Sequence, residues 1–280
     1  MLSRIIMLPF ILTGGFSLYK MFFDYSDIYA FIFSGCVLMI AAILMIEPQL
    51  NVWWVEKKPP KTDPSLRNFL YNYIPFYRGL TYELRLQFEQ MLAKNEYRFE
   101  VISKTDKDLS ADIKTLSCIY PTILDFNHQL GLAKKVSRVA LYAHPFLSPV
   151  EMEHVHVSEL DFEDGIYVYT IEHLQLGFKS NRFFNIALYE PAKAFLMLSD
   201  YREKIAPVCP EIEEILTAGP YDSKALQAFC GLLPDDREAL LIHHFFNHPD
   251  EVKKLFPEAF PILKEIFGDH HLLSKNPLLY

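Results

Sequence analysis

The sequence lacks the short motifs that mark the common enzyme classes. There is no G-x-S-x-G elbow and no glycine-rich phosphate loop, which leaves serine hydrolases and phosphate-loop enzymes without a foothold. Four cysteines, Cys36, Cys118, Cys209 and Cys230, lie far apart with no C-x-x-C pair. That spacing excludes a paired-cysteine redox or metal motif and agrees with a reduced compartment in which each thiol is structural. Positive charge is also short: 27 Lys and Arg against 35 Asp and Glu leave a net charge of -8. Binding phosphates needs a clustered positive surface, so the balance argues against nucleic acid as a partner. No internal repeat or low-complexity stretch occurs.

What is present begins with two apolar runs. Residues 28–46, IYAFIFSGCVLMIAAILMI, carry no charge over 19 positions, close to the roughly 20 residues that cross a bilayer core. Before them, Ile5 to Phe23 is apolar with interruptions at Pro9, Gly14, Gly15 and Lys20, and the acidic turn Asp24-Tyr25-Ser26-Asp27 separates the two. A transmembrane helical hairpin over residues 1–56 is expected. A cleaved signal peptide is the rival, but no small-x-small cleavage site is present and the second run is too long for a signal core. Arg4 precedes the first run, and Lys57, Lys58, Lys61 and Arg67 follow the second. By the positive-inside rule both ends, and hence the soluble part, are expected in the cytoplasm. Trp53 and Trp54 lie where an aromatic belt would place them.

The stretch KKPPKTDP reads as a stiff, solvated spacer within a linker over residues 57–65. Residues 66–280 then suffice for one domain with a sizeable core. Leu80, Leu84, Phe88, Met91 and Leu92 form one stripe, which predicts a helix over 79–94. A second helix is expected from a Ser110 cap to Phe126. Arg138 to Phe146 and Gly165 to Ile171 are β-branched and aromatic and read as strands. The remainder reads as helical, broken at Pro207, Pro210, Gly219-Pro220 and Pro234. The fold class is therefore α+β.

The chemistry concentrates in IALYEPAKAF, Ile186 to Phe195. In a zincin active-site helix two histidines one turn apart hold zinc, and a glutamate between them polarises water. Here the glutamate is Glu190, while Tyr189 and Lys193 stand at the histidine positions. Pro191 is costly inside a helix and cheap in its first turn, so the helix is expected to begin near Tyr189.

The order of these parts resembles the zinc-dependent peptidases related to the Mlc titration factor A of enteric bacteria, over Phe76 to Gly268. FYRGLTYELRLQF resembles that family's first helix, RVALYAHPFLSP its edge strand, GIYVYTIEHLQLGFKSNRFFNIALYEPAKAF its strand and active-site helix, and LIHHFFNHPDEVKKLFPEAFPILKEIFG its C-terminal helix pair. The resemblance implies a zincin-like metallopeptidase fold after the two transmembrane helices. It places the three ligand positions on Tyr189, Lys193 and His243 and leaves Glu190 as a vestigial general base. Neutral Tyr is a poor ligand, and Lys carries a proton on the nitrogen that would bind. A catalytic zinc needs about three protein ligands, so no metal or other cofactor is expected.

Lys193 sits one helical turn from Glu190, so its ammonium can take up part of the space of the missing ion. A polar cluster of Glu190, Lys193 and His243 is one reading, and an exposed helical ion pair is the other. His244 and His248 are four apart beside His243; with Glu190 they supply the alternative of an active zinc peptidase with unusual ligands. His154 and His156 are expected on one side of a strand, and His270 and His271 in solvent. The reading overall is a membrane-anchored, catalytically silent relative. It would bind a peptide or regulatory protein partner in its cleft; a membrane-associated scaffold is a further alternative.

Overall fold

The two apolar runs form helices of 23 and 19 residues, α1 (Leu2–Asp24) and α2 (Asp27–Met45). The computed structural model describes residues 2–24, 26–105, 111–148 and 152–272. The chain divides into two compact units, Met1–Pro60 and Lys61–Tyr280.

In the first unit both helices are long and apolar enough to cross a membrane, and only 11% of each apolar window is buried. Phe22, Phe31 and Leu38 are all more than two-thirds exposed. A core helix of a soluble protein would cover such side chains, whereas lipid would solvate them. A Cβ on Gly14 would lie 3.3 Å from the Cys36 Cβ, so the missing side chain lets the helices approach there. Sequence pattern did not foresee a third helix, α3 (Glu47–Lys57), which starts at a proline in its first turn and carries both tryptophans. Ser3 Oγ donates to Glu47 Oε1 at 2.7 Å, and Asn51 Nδ2 reaches the same oxygen at 3.3 Å, clasping α1 to α3. Tyr25 of the expected turn lies outside the described residues.

The second unit opens with α4 (Pro64–Tyr73), whose cap Asp63 accepts from the Ser65 backbone N–H at 2.7 Å. The spacer is thus shorter than expected, because α3 takes Lys57 and α4 takes Pro64. A single turn, α5 (Pro75–Gly79), precedes α6 (Tyr82–Arg98), which starts at its Thr81 cap rather than at residue 79. Then come β1 (Glu100–Lys104), α7 (Ala111–Asp125), α8 (Leu132–Lys135), β2 (Arg138–Tyr142), β3 (Ser158–Asp161) and β4 (Ile166–Thr170). The expected Ser110 cap of α7 lies outside the described residues.

Helices fill the rest: α9 (Ile171–Lys179), α10 (Ile186–Leu198), α11 (Tyr201–Ile205), α12 (Ile212–Leu216), α13 (Ser223–Cys230), α14 (Arg237–Asn247), α15 (Pro249–Leu255) and α16 (Ala259–Phe267). Pro210, Gly219-Pro220 and Pro234 all fall between them, while Pro207 sits in a 3-10 turn, Ala206–Val208.

The four strands lie in the order β1-β2-β4-β3. β1, β2 and β4 run parallel, and β3 runs antiparallel against β4 with Ser158 opposite Tyr169. RVALY is therefore an interior strand, correcting the expected edge position; Val139, Ala140 and Leu141 are buried in turn, as a strand covered on both faces requires. The edges are β1 and SELD, whose two acidic residues hid its strand character. Tyr167 and Tyr169 point to one face of β4 and are fully buried. Helix α10 packs on β3 and β4 and against α7 and α14, and α7 packs in turn against α6.

Candidate functional site

Helix α10 begins at Ile186, not near Tyr189, so Pro191 lies in its interior. Pro191 has no N–H to give the Ala187 carbonyl, yet the helix holds, because both its start and its flanks are fixed by tertiary contacts. Asn185 anchors the start. Its backbone N–H donates to His243 Nε2 at 3.1 Å, and its side-chain amide donates to the Gly177 carbonyl at 2.9 Å and Tyr120 Oη at 3.1 Å. The flanks are buried from Ile186 through Ala192. Burial on this scale outweighs a local cost of about 3 kcal/mol.

Glu190 is thereby delivered into a cleft of about 450 Å³, floored by α10 and walled by β3 and by the segment Leu232-Leu233-Pro234-Asp235. The residue is 2% exposed. Oε1 accepts from Ser158 Oγ of β3 at 2.7 Å, and Oε2 faces Lys193 Nζ at 3.5 Å. The ammonium lies 3.7 Å from Asp235 Oδ1 and 5.5 Å from the Tyr189 ring centre. The Glu190 charge, and Asp235 after it, raise the Lys193 pKa against the pull of burial, so the ammonium stays protonated. Of the two readings of this pair, the exposed one is wrong.

Tyr189 serves the wall. Its hydroxyl donates to Asp235 Oδ1 at 3.1 Å and accepts the backbone N–H groups of Asp235 and Asp236, each at 3.0 Å. Burial, then the neighbouring Asp235 charge, pushes its pKa well above the ordinary phenol value. Tyr189→Phe is expected to leave both N–H groups short of an acceptor and to cost about 2 kcal/mol in a denaturant titration. A change below about 0.5 kcal/mol would show that water replaces the phenol.

His243 stands apart from this pair. Its ring stacks on Phe184 with centroids 4.3 Å apart, and Phe184 in turn meets Tyr189 at 5.4 Å. Among the described residues no hydrogen bond or ion pair joins it to Glu190 or Lys193, and it does not line the cleft. Nε2 accepts from Asn185 and Asn247, which leaves the proton on Nδ1, a buried atom without a partner. Burial lowers its pKa well below the usual imidazole range.

These three positions do not fit zinc. The Tyr189 oxygen is engaged three times, the Lys193 nitrogen is protonated, and His243 spends its basic nitrogen on the α10 start. The rings of His243, His244 and His248 succeed one another at 5.2 and 5.6 Å. Their nitrogens do not converge: His244 Nδ1 donates to the Leu240 carbonyl and His248 Nε2 meets Tyr221 Oη. Among the described residues, no group of three or more His, Cys, Asp or Glu side chains is placed to hold a metal ion.

Other cleft residues carried no signal in the sequence. Ser158 and Asp235 meet α10 only through the fold, 32 and 46 residues from their partners. His156 bridges to Phe146 and pairs with Glu159 Oε2 at 3.0 Å inside the cleft wall, while His154 is exposed. His271, expected in solvent, is buried, with its Nε2 donating to the Phe245 carbonyl at 3.0 Å. Comparison of the chain with protein-family models, with curated proteins and with solved structures finds no match.

Proposed function

We propose that the chain is a membrane-anchored, zincin-like protein whose cleft binds an extended peptide or protein segment without metal-dependent hydrolysis. The observation that carries this reading is the Lys193 ammonium set between Glu190 and Asp235, where the resemblance calls for a zinc-binding histidine. A cation supplied by the chain neutralises Glu190 without polarising water. Support for an extended ligand comes from β3, a terminal strand of the sheet whose residues Ser158, Glu159 and Leu160 line the cleft. The basic residues after α2, against acidic Asp24 and Asp27 between the spans, favour a cytoplasmic cleft. The resemblance points to regulatory proteins as the partner class.

The test uses the full chain in lipid nanodiscs, washed and then offered equimolar zinc. Retention under about 0.1 zinc per chain, with no chelator-sensitive cleavage of a casein digest, is expected. Stoichiometric zinc held through dialysis, or cleavage abolished by chelator, overturns the reading in favour of a peptidase with unusual ligands.

A further inference from the structure

A second concavity lies far from Glu190 in sequence, at the start of the second unit. It encloses about 380 Å³ and is lined by Pro64, Arg67, Tyr71, Tyr77, Tyr82 and Arg85, with Glu89 at its base. Arg67 holds Glu89 with two hydrogen bonds of 2.9 and 2.7 Å, and Tyr77 Oη donates to the same carboxylate at 2.5 Å. That carboxylate is therefore fully engaged, and it cancels Arg67. Arg85 has no carboxylate partner among the described residues. Its Nε and Nη2 donate to the backbone carbonyls of Tyr77 and Arg78, and its guanidinium lies 5.0 Å from the Tyr71 ring centre. The pocket thus keeps one net positive charge, the Arg85 Nη1 edge that lies outside those two bonds, and a rim of phenols, of which Tyr71 is 43% and Tyr82 71% exposed.

This chemistry suits a phosphate monoanion or diester, which arginine grips through paired N–H donors while tyrosine supplies hydroxyls. The source of the phosphate follows from the chain. Only residues 58–63 separate α3 from α4, a tether of at most about 20 Å when fully extended. Pro64, the first residue after that tether, is itself part of the pocket rim. Lys57, Lys58 and Lys61, which precede it in the sequence, draw anionic lipid, and exposed tyrosines are at home at headgroup depth. We propose that this pocket seats the phosphate of an anionic phospholipid headgroup and so lays α4 and the start of α6 on the bilayer surface. The inference rests on the reading that α1 and α2 span a membrane.

Amide hydrogen exchange of the full chain in nanodiscs tests it. Discs of phosphatidylcholine alone are compared with discs containing about one-third phosphatidylglycerol. Exchange over residues 64–86 is expected to slow roughly fivefold in the anionic discs, and Arg85→Gln or Tyr82→Ser to return it to the phosphatidylcholine rate. Tyr82 is mostly exposed, so its variant keeps the test sound if Arg85→Gln perturbs folding. Equal rates in the two discs, or slowing that survives Tyr82→Ser, overturn the proposal. Equal slowing in phosphatidylcholine discs given about 10 mM inorganic phosphate assigns the pocket to free phosphate and overturns the lipid assignment. Failure of the chain to enter either disc overturns the membrane reading and this proposal with it; entry without a lipid effect overturns this proposal alone.

Discussion

Lys193→Met is expected to destabilise the second unit by about 3 kcal/mol, and adding Glu190→Gln to recover most of that loss. The reasoning turns on which partner is buried. The Glu190 side chain is 3% exposed and that of Lys193 24%, so removing the ammonium strands a carboxylate that water cannot reach. Breaking a buried pair from one side costs about 3–5 kcal/mol, because the remaining charge keeps its desolvation penalty. The lower end applies, since Lys193 is partly solvated and Ser158 Oγ still donates to Oε1. Neutralising both partners removes the penalty along with the attraction. A double-mutant cycle by urea unfolding measures the coupling. A loss below about 0.5 kcal/mol in the single variant would place the pair among ordinary surface bridges and empty the cleft of its internal cation.

The elements that were legible in the sequence are those whose pattern is local. The uncharged run at 28–46, the apolar stripe from Leu84 to Leu92 and the β-branched segment at 166–170 each became the element expected, with Leu80 left outside the helix before its Thr81 cap. β3 was invisible because SELD alternates weakly and owes its strand state to pairing with β4. RVALY was legible as a strand but not as an interior one, since the strand on its other side, β1, is itself defined by that pairing. Helix α10 shows the same limit from the other direction. Local rules at Pro191 shorten it, and the anchoring of Asn185 by Gly177, Tyr120 and His243 restores it.

The site was half legible for the same reason. A spacing of three residues on a helix brings Lys193 to Glu190 whatever the rest of the fold does, so that contact could be read from IALYEPAKAF alone. The third member could not. His243 sits 58 residues from Asn185 and is committed to that backbone N–H, so its role is to hold the helix that presents Glu190. Asp235, which no spacing rule singles out, takes the place beside Lys193 instead. Tyr189 ties the same aspartate's loop to α10, which couples the wall of the cleft to its floor.

The buried imidazoles give the second large expectation: stability should fall steeply on acidification below about pH 6.5. Burial lowers the pKa of His244 to about 3 and those of His248 and His271 to about 4, and takes His243 well below its ordinary value. In the unfolded chain each would titrate near 6.5. Between that value and about 4 the unfolded state therefore binds protons that the folded state refuses, so unfolding becomes more favourable as pH drops. Each group contributes a slope approaching about 1.4 kcal/mol per pH unit once its unfolded form is charged. Four of them together approach about 5 kcal/mol per unit, enough to exhaust the stability of a typical domain near pH 5. Asp125 works the other way, because burial raises its folded pKa and acid favours the folded form through it, but it is one group against these four and against His128 and His173, whose pKa values burial also lowers. Unfolding followed by urea titration at half-unit steps from pH 7 to 4.5 measures the slope directly. His248→Gln should reduce it by one proton's worth, since His248 meets Tyr221 Oη through a neutral nitrogen that an amide can replace. A midpoint unchanged across that range would mean that the imidazoles are protonated in the folded state, and that the packing drawn around His243, His244 and His248 is wrong.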